Sequence, residues 1–223
     1  SMAVSISMRA APSPDPHARL MDRVYRRQRY VYDFTRRYYL FGRDRLIRDL
    51  SLRPGASLIE VGCGTARNLI AIARAYPGTR LYGLDASEAM LESARMAVRR
   101  AGLEQRIFLK QGLAEDLAPA QFGVENFENV LFSYSLSMIP DWRGALAAGS
   151  AALSPSGRPH VVDFGDLTGL GKLAERAMRG WLTLFHVTPR VEFLAALERV
   201  AGKTGHLTLL FGRYAFIFSQ GKM

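Results

Sequence analysis

The sequence has little of what builds disulfide, zinc or membrane-spanning structures. Its 223 residues contain a single cysteine, Cys63, so neither an intrachain disulfide nor a cysteine-based zinc cluster can form. This use of cysteine fits a reducing, cytoplasmic compartment. No run of about 18 apolar residues occurs, so no helix of this sequence is expected to span a bilayer. The four histidines lack the His-x-x-x-His spacing of a metal site, and we predict no metal.

Acidic residues are scarce relative to basic ones. Thirty lysines and arginines stand against 20 aspartates and glutamates, which gives a formal net charge of +10. Residues 17–50 hold ten arginines and four aspartates, so this segment alone contributes +6. A charge of this sign favours an acidic partner, either nucleic acid or an anionic membrane surface. A solvated helical face beside an ordinary core is the structural alternative.

The chain divides into three parts. Residues 1–16 hold three prolines among small residues and are predicted to form a disordered tail. Residues 17–50 lack proline and space their apolar side chains as a helix does, which predicts basic N-terminal helices interrupted near Gly42. Residues 51–223 predict one α/β domain, because a chain of this length is suited to a single large core.

Strand-like and helix-like segments alternate through the third part. Strands are predicted at 57–61, 81–84, 107–109, 129–134, 160–164, 206–211 and 214–219. Alternation of this kind indicates parallel crossovers with helices on both faces of the sheet. The short link Gly212-Arg213 permits only a hairpin, so the last strand is antiparallel. The predicted fold class is α/β, a Rossmann-like, doubly wound, mostly parallel seven-stranded sheet with an antiparallel last strand and added N-terminal helices.

A glycine-rich turn follows the first predicted strand. Gly62 and Gly64 have no Cβ, which lets backbone N–H groups approach a ligand closely. The third glycine of the dinucleotide-binding fingerprint is missing, since Arg67 stands at its position. Glu60 instead completes an acid-x-Gly-x-Gly pattern that resembles S-adenosylmethionine-dependent methyltransferases, with Ala66 where that pattern usually has its last glycine. The resemblance implies S-adenosylmethionine as cofactor, with its amino-acid end at this turn.

Other strand ends supply further candidate cofactor residues. Asp85 ends the second predicted strand, where a carboxylate can accept both ribose hydroxyls of an adenosine. The structural alternative is an acid that faces a helix N-terminus. The family resemblance implies that Leu113, Ala114 and Glu115 line the adenine, with an ordinary loop as the structural alternative. It also implies a cofactor contact at Ser133, at the end of the fourth strand, which faces the transferred methyl.

A closer resemblance covers most of the chain from about residue 20 onward. Residues 21–40 and 42–44, with 134–140, 162–166 and 185–190, are similar to the bacterial betaine-lipid N-methyltransferases, which convert diacylglyceryl homoserine to its trimethylated form. The resemblance implies N-methylation of a membrane-lipid headgroup. Related families methylate phosphatidylethanolamine, and that acceptor stays open.

The resemblance also implies roles for three residues around the acceptor. The N-terminal helices cover the cofactor, and Tyr32 is the preferred lid residue, its aromatic face suited to cationic sulfonium and ammonium groups. A core tyrosine is the structural alternative. His186 and Arg190 are the candidates to bind the homoserine carboxylate. An amine lone pair attacks the methyl group without elaborate acid–base machinery, so these residues are expected to position the substrates.

A lipid acceptor requires the enzyme to work at a bilayer. We predict a cytoplasmic protein, peripherally associated with the inner membrane, that docks on anionic lipid through arginines between Arg19 and Arg48. An RNA methyltransferase using these arginines on phosphates and a non-catalytic cofactor-binding sensor are the rival hypotheses. Arginines interleaved with tyrosines are explained by the lipid family, so no nucleic-acid partner is predicted. The sequence leaves the oligomeric state open.

Overall fold

The structure, a computed structural model, describes residues 42–167, 169, 171–183, 192, 196–197, 205–211 and 213–220. Helices and strands alternate in these ranges as the sequence predicts. The elements are α1 (Arg43–Asp49), β1 (Ser57–Val61), α2 (Arg67–Ala75), β2 (Arg80–Asp85), α3 (Glu88–Arg100), β3 (Ile107–Gln111), β4 (Phe127–Ser133), α4 (Trp142–Ala151), β5 (Leu153–Phe164), α5 (Lys172–Thr183), β6 (Gly205–Leu210) and β7 (Ala215–Gln220).

The seven strands form one sheet in the order β3-β2-β1-β4-β5-β7-β6. β1 pairs in parallel with β2 and β4, and β7 pairs antiparallel with both β5 and β6. The predicted fold class is therefore confirmed, including the terminal hairpin. The chain runs outward from β1 to β3 and then returns to build the other half from β4. The reversal opens a crevice at the carboxyl ends of β1 and β4, where α/β sheets bind ligands.

Both faces of the sheet are covered, as expected for central parallel strands that are buried on both sides. Successive residues of β1 enter different hydrophobic clusters, Leu58 on one face and Ile59 on the other. The helices supply the matching apolar sides, for example Leu69 of α2 and Trp142 of α4. Ser87 caps α3, because its Oγ accepts a hydrogen bond from the Met90 N–H at 3.4 Å. The core thus holds the strand ends of the crevice at fixed positions.

Strand β5 differs from its prediction. It begins at Leu153, whereas the sequence predicted a strand only from His160. Phe127 pairs with Leu153 and Asn129 with Arg158, so the register shifts and the intervening residues bulge from the ladder. Pro155, which lacks an N–H, and Gly157 lie inside this irregular stretch. Both residue types are typical of turns, which is why the sequence did not indicate the early start of the strand.

The N-terminal prediction is tested only at its end. Helix α1 begins directly after Gly42, whose φ of 85° is the left-handed conformation that glycine adopts at no steric cost. The predicted interruption near Gly42 agrees with this start. The predicted tail and the rest of the basic helices lie outside the described residues.

Candidate functional site

A cleft opens at the carboxyl ends of β1, β2 and β4. It lies at the reversal of strand order, where the fold predicts a ligand site. Six of the residues predicted to bind cofactor line it: Gly62, Gly64, Asp85, Leu113, Ala114 and Glu115. Glu60 and Ser133 instead line a second cavity, which shares Gly62 with the cleft. The structure therefore gathers the predicted residues around one turn, on its two sides.

The glycine turn is held against β2 by backbone hydrogen bonds. The N–H groups of Gly62 and Cys63 both donate to the carbonyl oxygen of Leu84, at 2.8 and 3.1 Å. Gly62 has a φ of 76°, and a Cβ added to it would lie 2.6 Å from Ser135 Cβ. Both the backbone conformation and the close neighbour require glycine here. The turn is thereby pressed between strand β2 and the loop after β4.

Asp85 joins the first two strand ends of the cleft. Its Oδ2 accepts a hydrogen bond from the Gly64 N–H at 2.7 Å, and its Oδ1 accepts one from the Ser87 N–H at 2.9 Å. The carboxylate is half-buried and borders the cleft. It therefore fixes the turn and the start of α3 while it faces the space where a ligand would lie.

Glu60 lies on the opposite side of the turn and is buried, with 1% of its surface exposed. Its Oε1 accepts a hydrogen bond from Asn68 Nδ2 at 2.6 Å. Cys63, between the two glycines, is also buried, and burial raises the pKa of its thiol well above the usual value, with the nearby carboxylates of Asp85 and Glu60 adding to the effect. A thiol kept protonated in this way packs as a small apolar group.

The loop at 134–140 forms the wall of the cleft that follows β4. It starts with Tyr134, a non-glycine residue at a φ of 53°, whose N–H donates to the Val162 carbonyl at 2.7 Å. The Tyr134 ring packs edge-on against Phe164, with ring centroids 4.8 Å apart. Burial raises the pKa of the Tyr134 hydroxyl well above its usual value, and repulsion from the Asp163 carboxylate raises it further, so the hydroxyl stays protonated. The positive φ of Tyr134 is a strained backbone conformation for a non-glycine residue, and such strain persists where surrounding contacts hold the backbone in place.

Asp163 secures this loop from behind. The carboxylate is fully buried and accepts hydrogen bonds from the Ser137 N–H at 3.1 Å and from the Phe164 N–H at 2.8 Å. Burial raises the pKa of Asp163 to about 6, because its effect outweighs that of the hydrogen bonds from Ser137 and Phe164, which lower the pKa. The sequence hypothesis assigned Asp163 no site role. An acid among the apolar residues of a strand end was the available signal.

Arg43 is the other residue that sequence reasoning placed differently. It was counted among the arginines of the membrane-docking segment, yet 8% of its surface is exposed and it lines the second cavity with Glu60 and Ser133. Its sequence context does not distinguish it from the neighbouring arginines, because only the packing of α1 on the sheet turns it inward.

Three predicted residues, Tyr32, His186 and Arg190, lie outside the described residues. Within the ranges that the structure describes, no group of three or more histidine, cysteine or acidic side chains is placed to hold a metal ion. A search of the same ranges for a helix of sufficient length and hydrophobicity to cross a membrane finds none.

Solved structures with the same fold fit this architecture. A SAM-dependent methyltransferase from Aquifex aeolicus superposes with a TM-score of 0.63 at 15% identity, covering 83% of this chain and 92% of that one. The mitomycin 7-O-methyltransferase MmcR gives a TM-score of 0.62 at 19% identity, covering 81% of this chain and 54% of that one. These likenesses show that the chain has the Rossmann-like fold of these methyltransferases.

Sequence comparison identifies the family. Residues 58–157 match the model of a methyltransferase domain. The ubiquinone/menaquinone biosynthesis C-methyltransferase UbiE of Syntrophotalea carbinolica is 30% identical over 182 residues, 77% of this chain and 69% of that protein. A demethylmenaquinone methyltransferase of Bacillus cytotoxicus is 32% identical over 130 residues, and the match spans 58% of this chain and about half, 53%, of that relative. The chain belongs to the class I S-adenosylmethionine-dependent methyltransferases. These relatives are named for quinone acceptors, which differ from the lipid amine of the sequence hypothesis.

Proposed function

We propose that this chain transfers methyl groups from S-adenosylmethionine to the amine of a membrane-lipid headgroup, with diacylglyceryl homoserine as the acceptor. The supporting observation is the placement of the segment at 134–140, part of the betaine-lipid resemblance. Five of its residues line the cleft beside the cofactor turn: Tyr134, Ser135, Met138, Ile139 and Pro140. A second such segment, 162–166, supplies Asp163, which holds the first through Ser137. The resemblance therefore coincides with one physical unit next to the predicted methyl-transfer position.

The donors and acceptors of the cleft fit the cofactor. S-adenosylmethionine supplies an activated methyl group on a cationic sulfur. Asp85 would accept the ribose hydroxyls, the turn at Gly62 and Gly64 would receive the amino-acid end, and residues 113–115 would line the adenine. Asp85 keeps its hydrogen bonds from the turn and α3, which orient its carboxylate in advance of binding.

The loop residues supply the conditions that an amine acceptor requires. A neutral amine attacks through its lone pair, so the site must exclude water and align the nitrogen. Met138, Ile139 and Pro140 give the cleft wall an apolar surface. Tyr32 as a lid and His186 with Arg190 as headgroup ligands remain part of the proposal from the sequence.

Quinone-ring C-methylation is the second candidate. It is favoured by the relative of Syntrophotalea carbinolica, which is 30% identical over 182 residues and named as a C-methyltransferase of quinone biosynthesis. Methylation of a ring carbon must remove a proton from carbon, which calls for a base in the site, whereas an ammonium acceptor can lose its proton to water before its lone pair attacks.

The experiment offers competing acceptors to one enzyme preparation. Purified protein and methyl-labelled S-adenosylmethionine are incubated with detergent-dispersed diacylglyceryl homoserine, phosphatidylethanolamine, demethylmenaquinol or total RNA, and an Asp85→Ala variant serves as the blank. We expect label in mono-, di- and trimethylated homoserine lipid, identified by mass spectrometry. Labelled menaquinol without labelled amine lipid would transfer the proposal to the second candidate. Label in RNA, or cofactor binding without turnover on any acceptor, would overturn it in favour of the other rivals.

A further inference from the structure

Two apolar side chains protrude from the described part of the fold. Phe211, in the turn between β6 and β7, is 62% exposed, and Leu173, in the first turn of α5, is 85% exposed. These are the highest exposures among the large apolar residues that the structure describes. We call these two residues the exposed pair. In water they forfeit the free energy that burial of a leucine or phenylalanine side chain normally provides.

The turn that carries Phe211 is strained and firmly held. Phe211 has a φ of 49° and Arg213 a φ of 64°, in the left-handed region that suits glycine and asparagine. Arg213 fixes the turn to the buried Asp166, because its Nε donates to Oδ1 at 2.8 Å and to Oδ2 at 3.0 Å. A glycine or asparagine at position 211 would relieve the strain, so an exposed phenylalanine there indicates a use for its ring.

Helix α5 is held by the same aspartate. Arg179 Nη2 donates to the Asp166 carbonyl oxygen at 2.6 Å, and Leu182 is buried in the core, so the second half of α5 packs on the domain. Leu173 precedes Arg179 by six residues, about 9 Å of helix, and extends away from the packed end. Both members of the exposed pair therefore project from elements that are fixed at Asp166.

The exposed pair belongs to the same edge of the sheet as the cofactor cleft. β7 runs antiparallel to β5 and its Ala215 pairs with Phe164, so the β6–β7 turn lies at the carboxyl end of β5, and α5 follows that end. The rings of Tyr134, Phe164 and Tyr214 connect the cleft wall to this turn, with centroid separations of 4.8 and 5.7 Å. From β4 to β6 there are three strand spacings, about 14 Å. A surface that touched the turn would lie close to the cleft.

The basic N-terminal segment enters the described fold beside strand β6. A Cβ added to Gly42 would lie 2.5 Å from Leu210 Cδ1, and Leu210 directly precedes Phe211. The segment of residues 17–50, with its charge of +6, therefore passes next to the strand that leads to the exposed pair. Cations beside protruding apolar side chains are the combination that binds an anionic bilayer interface.

The exposed pair is too small for a stable protein partner. Even a fully buried aromatic side chain covers only about 150 to 250 Å², so two side chains supply less than about 500 Å². A standard protein interface takes about 800 Å² from each partner. A bilayer requires only that a few apolar side chains enter it, which favours a lipid surface as the occupant.

We propose that Leu173 and Phe211 insert into the membrane interface and hold the cleft against it. This inference rests on the proposed function, because a diacyl lipid acceptor places the enzyme at a bilayer. Apolar insertion adds an attraction that salt does not screen, in contrast to that of the N-terminal arginines. The acyl chains of the acceptor then stay in the bilayer while its headgroup enters the cleft.

Vesicle binding at two salt concentrations separates insertion from charge. Co-sedimentation with vesicles of phosphatidylcholine and phosphatidylglycerol compares wild type with Leu173→Gln, Phe211→Asn and the double variant. Glutamine suits a helix and asparagine tolerates a left-handed backbone, so these variants should fold, as urea unfolding checks. At about 1 M salt, where the Debye length is about 3 Å, wild type should stay bound and each substitution should weaken binding by about tenfold. The control Met96→Gln changes a 41% exposed side chain of α3 and should bind as wild type does.

A tryptophan at position 211 reports insertion directly. Vesicles with brominated acyl chains should quench the fluorescence of Phe211→Trp beyond that of wild type, whereas Met96→Trp should show no added quenching. Absence of added quenching at position 211 would overturn the proposal. So would high-salt binding that the double variant retains in full or that wild type lacks. A wild-type dimer that the double variant abolishes, with vesicle binding unchanged, would assign the exposed pair to a second copy of the chain instead.

Activity on two forms of the acceptor separates this proposal from the proposed function. The double variant should methylate detergent-dispersed diacylglyceryl homoserine as wild type does and lose about tenfold or more on the same lipid in vesicles at high salt. Equal activity of both proteins on the vesicles would contradict insertion. Insertion by a protein that methylates no amine lipid would refute the proposed function and leave the membrane contact standing.

Discussion

Asp85 is the residue at which the cofactor turn, helix α3 and the cleft meet. Asp85→Ala should remove two charge-assisted hydrogen bonds to the ribose and weaken S-adenosylmethionine binding by about 2 to 4 kcal/mol. It should also release the Gly64 N–H, which lies 2.7 Å from Asp85 Oδ2. Calorimetric titration of the cofactor measures the loss of affinity. Asp85→Asn keeps one acceptor oxygen, that of the amide carbonyl, and should lose less affinity than Asp85→Ala.

The matched control for this change is Asp116→Ala, which removes an exposed acid at the end of the 3₁₀ turn Ala114–Asp116, directly after the predicted adenine segment. It should bind the cofactor as wild type does. If folded Asp85→Ala retained wild-type affinity, the assignment of the cleft to adenosine would be wrong.

Gly62 allows a separate test of the turn, because backbone strain and steric contact can be separated. Gly62 has a φ of 76° and Gly55 a φ of 81°, but an added Cβ at Gly55 meets nothing within 4 Å. Gly55→Ala should therefore cost only the left-handed backbone penalty, about 1 to 2 kcal/mol. Gly62→Ala should cost more than this and lower cofactor affinity, because its Cβ would lie 2.6 Å from that of Ser135. Urea unfolding and cofactor titration of both variants decide the matter, and equal losses in both would contradict the packing shown at Ser135.

At the level of residues, sequence reasoning located the groups whose type and spacing carry their role. Gly62, Gly64 and Asp85 follow strands in an order that the chain itself displays, and the structure brings them into one cleft. Arg43 was not recognised, because the burial of one arginine among many depends on how α1 packs. Asp163 was noted only within a resemblance, since its hydrogen bond to Ser137 joins positions 26 residues apart.

At the level of elements, strand β5 carries two buried titratable groups with opposite effects on stability. Burial, and secondarily Arg158, lowers the pKa of His160 from 6.5 to about 4. The folded protein then lacks a proton that the unfolded chain binds in this window, so stability falls as the pH falls. Burial raises the pKa of Asp163 from 3.8 to about 6, and the folded protein binds an extra proton there, so stability rises as the pH falls.

Each contribution amounts to about 3 kcal/mol, from about 1.36 kcal/mol per pKa unit, so the two should nearly cancel between about pH 4 and 6. His160→Gln keeps an amide donor for Asn129 and should expose the Asp163 effect, making the variant more stable at pH 4 than at pH 6. Asp163→Asn should show the reverse slope. Urea unfolding across this range, compared with wild type, measures both. Parallel pH profiles for the three proteins would contradict the assignment.

The order of elements was predictable because it rests on hydrophobic runs and glycine punctuation, which are local. The early start of β5 was not, since pairing of Leu153 with Phe127 is a tertiary contact that outweighs the turn preference of Pro155 and Gly157. The pairing of β7 with β5 likewise depends on the whole sheet, although the two-residue link to β6 restricted the possibilities.

At the level of the whole molecule, the basic N-terminal segment is predicted to dock the enzyme on anionic membranes. Each arginine near such a surface contributes about 1 kcal/mol, screened over a Debye length of about 8 to 10 Å. Changing Arg23, Arg26, Arg27 and Arg29 together to glutamine should therefore reduce co-sedimentation with vesicles that contain phosphatidylglycerol, most strongly at low salt.

A variant of equal charge separates this surface from net charge. Changing four exposed arginines outside the segment to glutamine, Arg80, Arg99, Arg100 and Arg176, should leave vesicle binding much closer to wild type. Equal losses from both quadruple variants would attribute binding to overall charge. Undiminished binding of the N-terminal variant would remove the docking hypothesis.

The strand order has a consequence for how the polypeptide is assembled during translation. β6 enters the sheet only through β7, which lies between it and β5 although the ribosome makes β7 afterwards. When β6 has left the ribosome and β7 has not, β6 therefore has no neighbouring strand to pair with, while β5 still exposes unpaired backbone groups. Such an intermediate is the kind of species that trigger factors and other chaperones shield, since open strand edges aggregate. The sheet is completed only when β7 has been synthesised and its side chains Phe216 and Phe218 are buried in the core. Strand β7 therefore joins β5 and β6 in the last step of assembly.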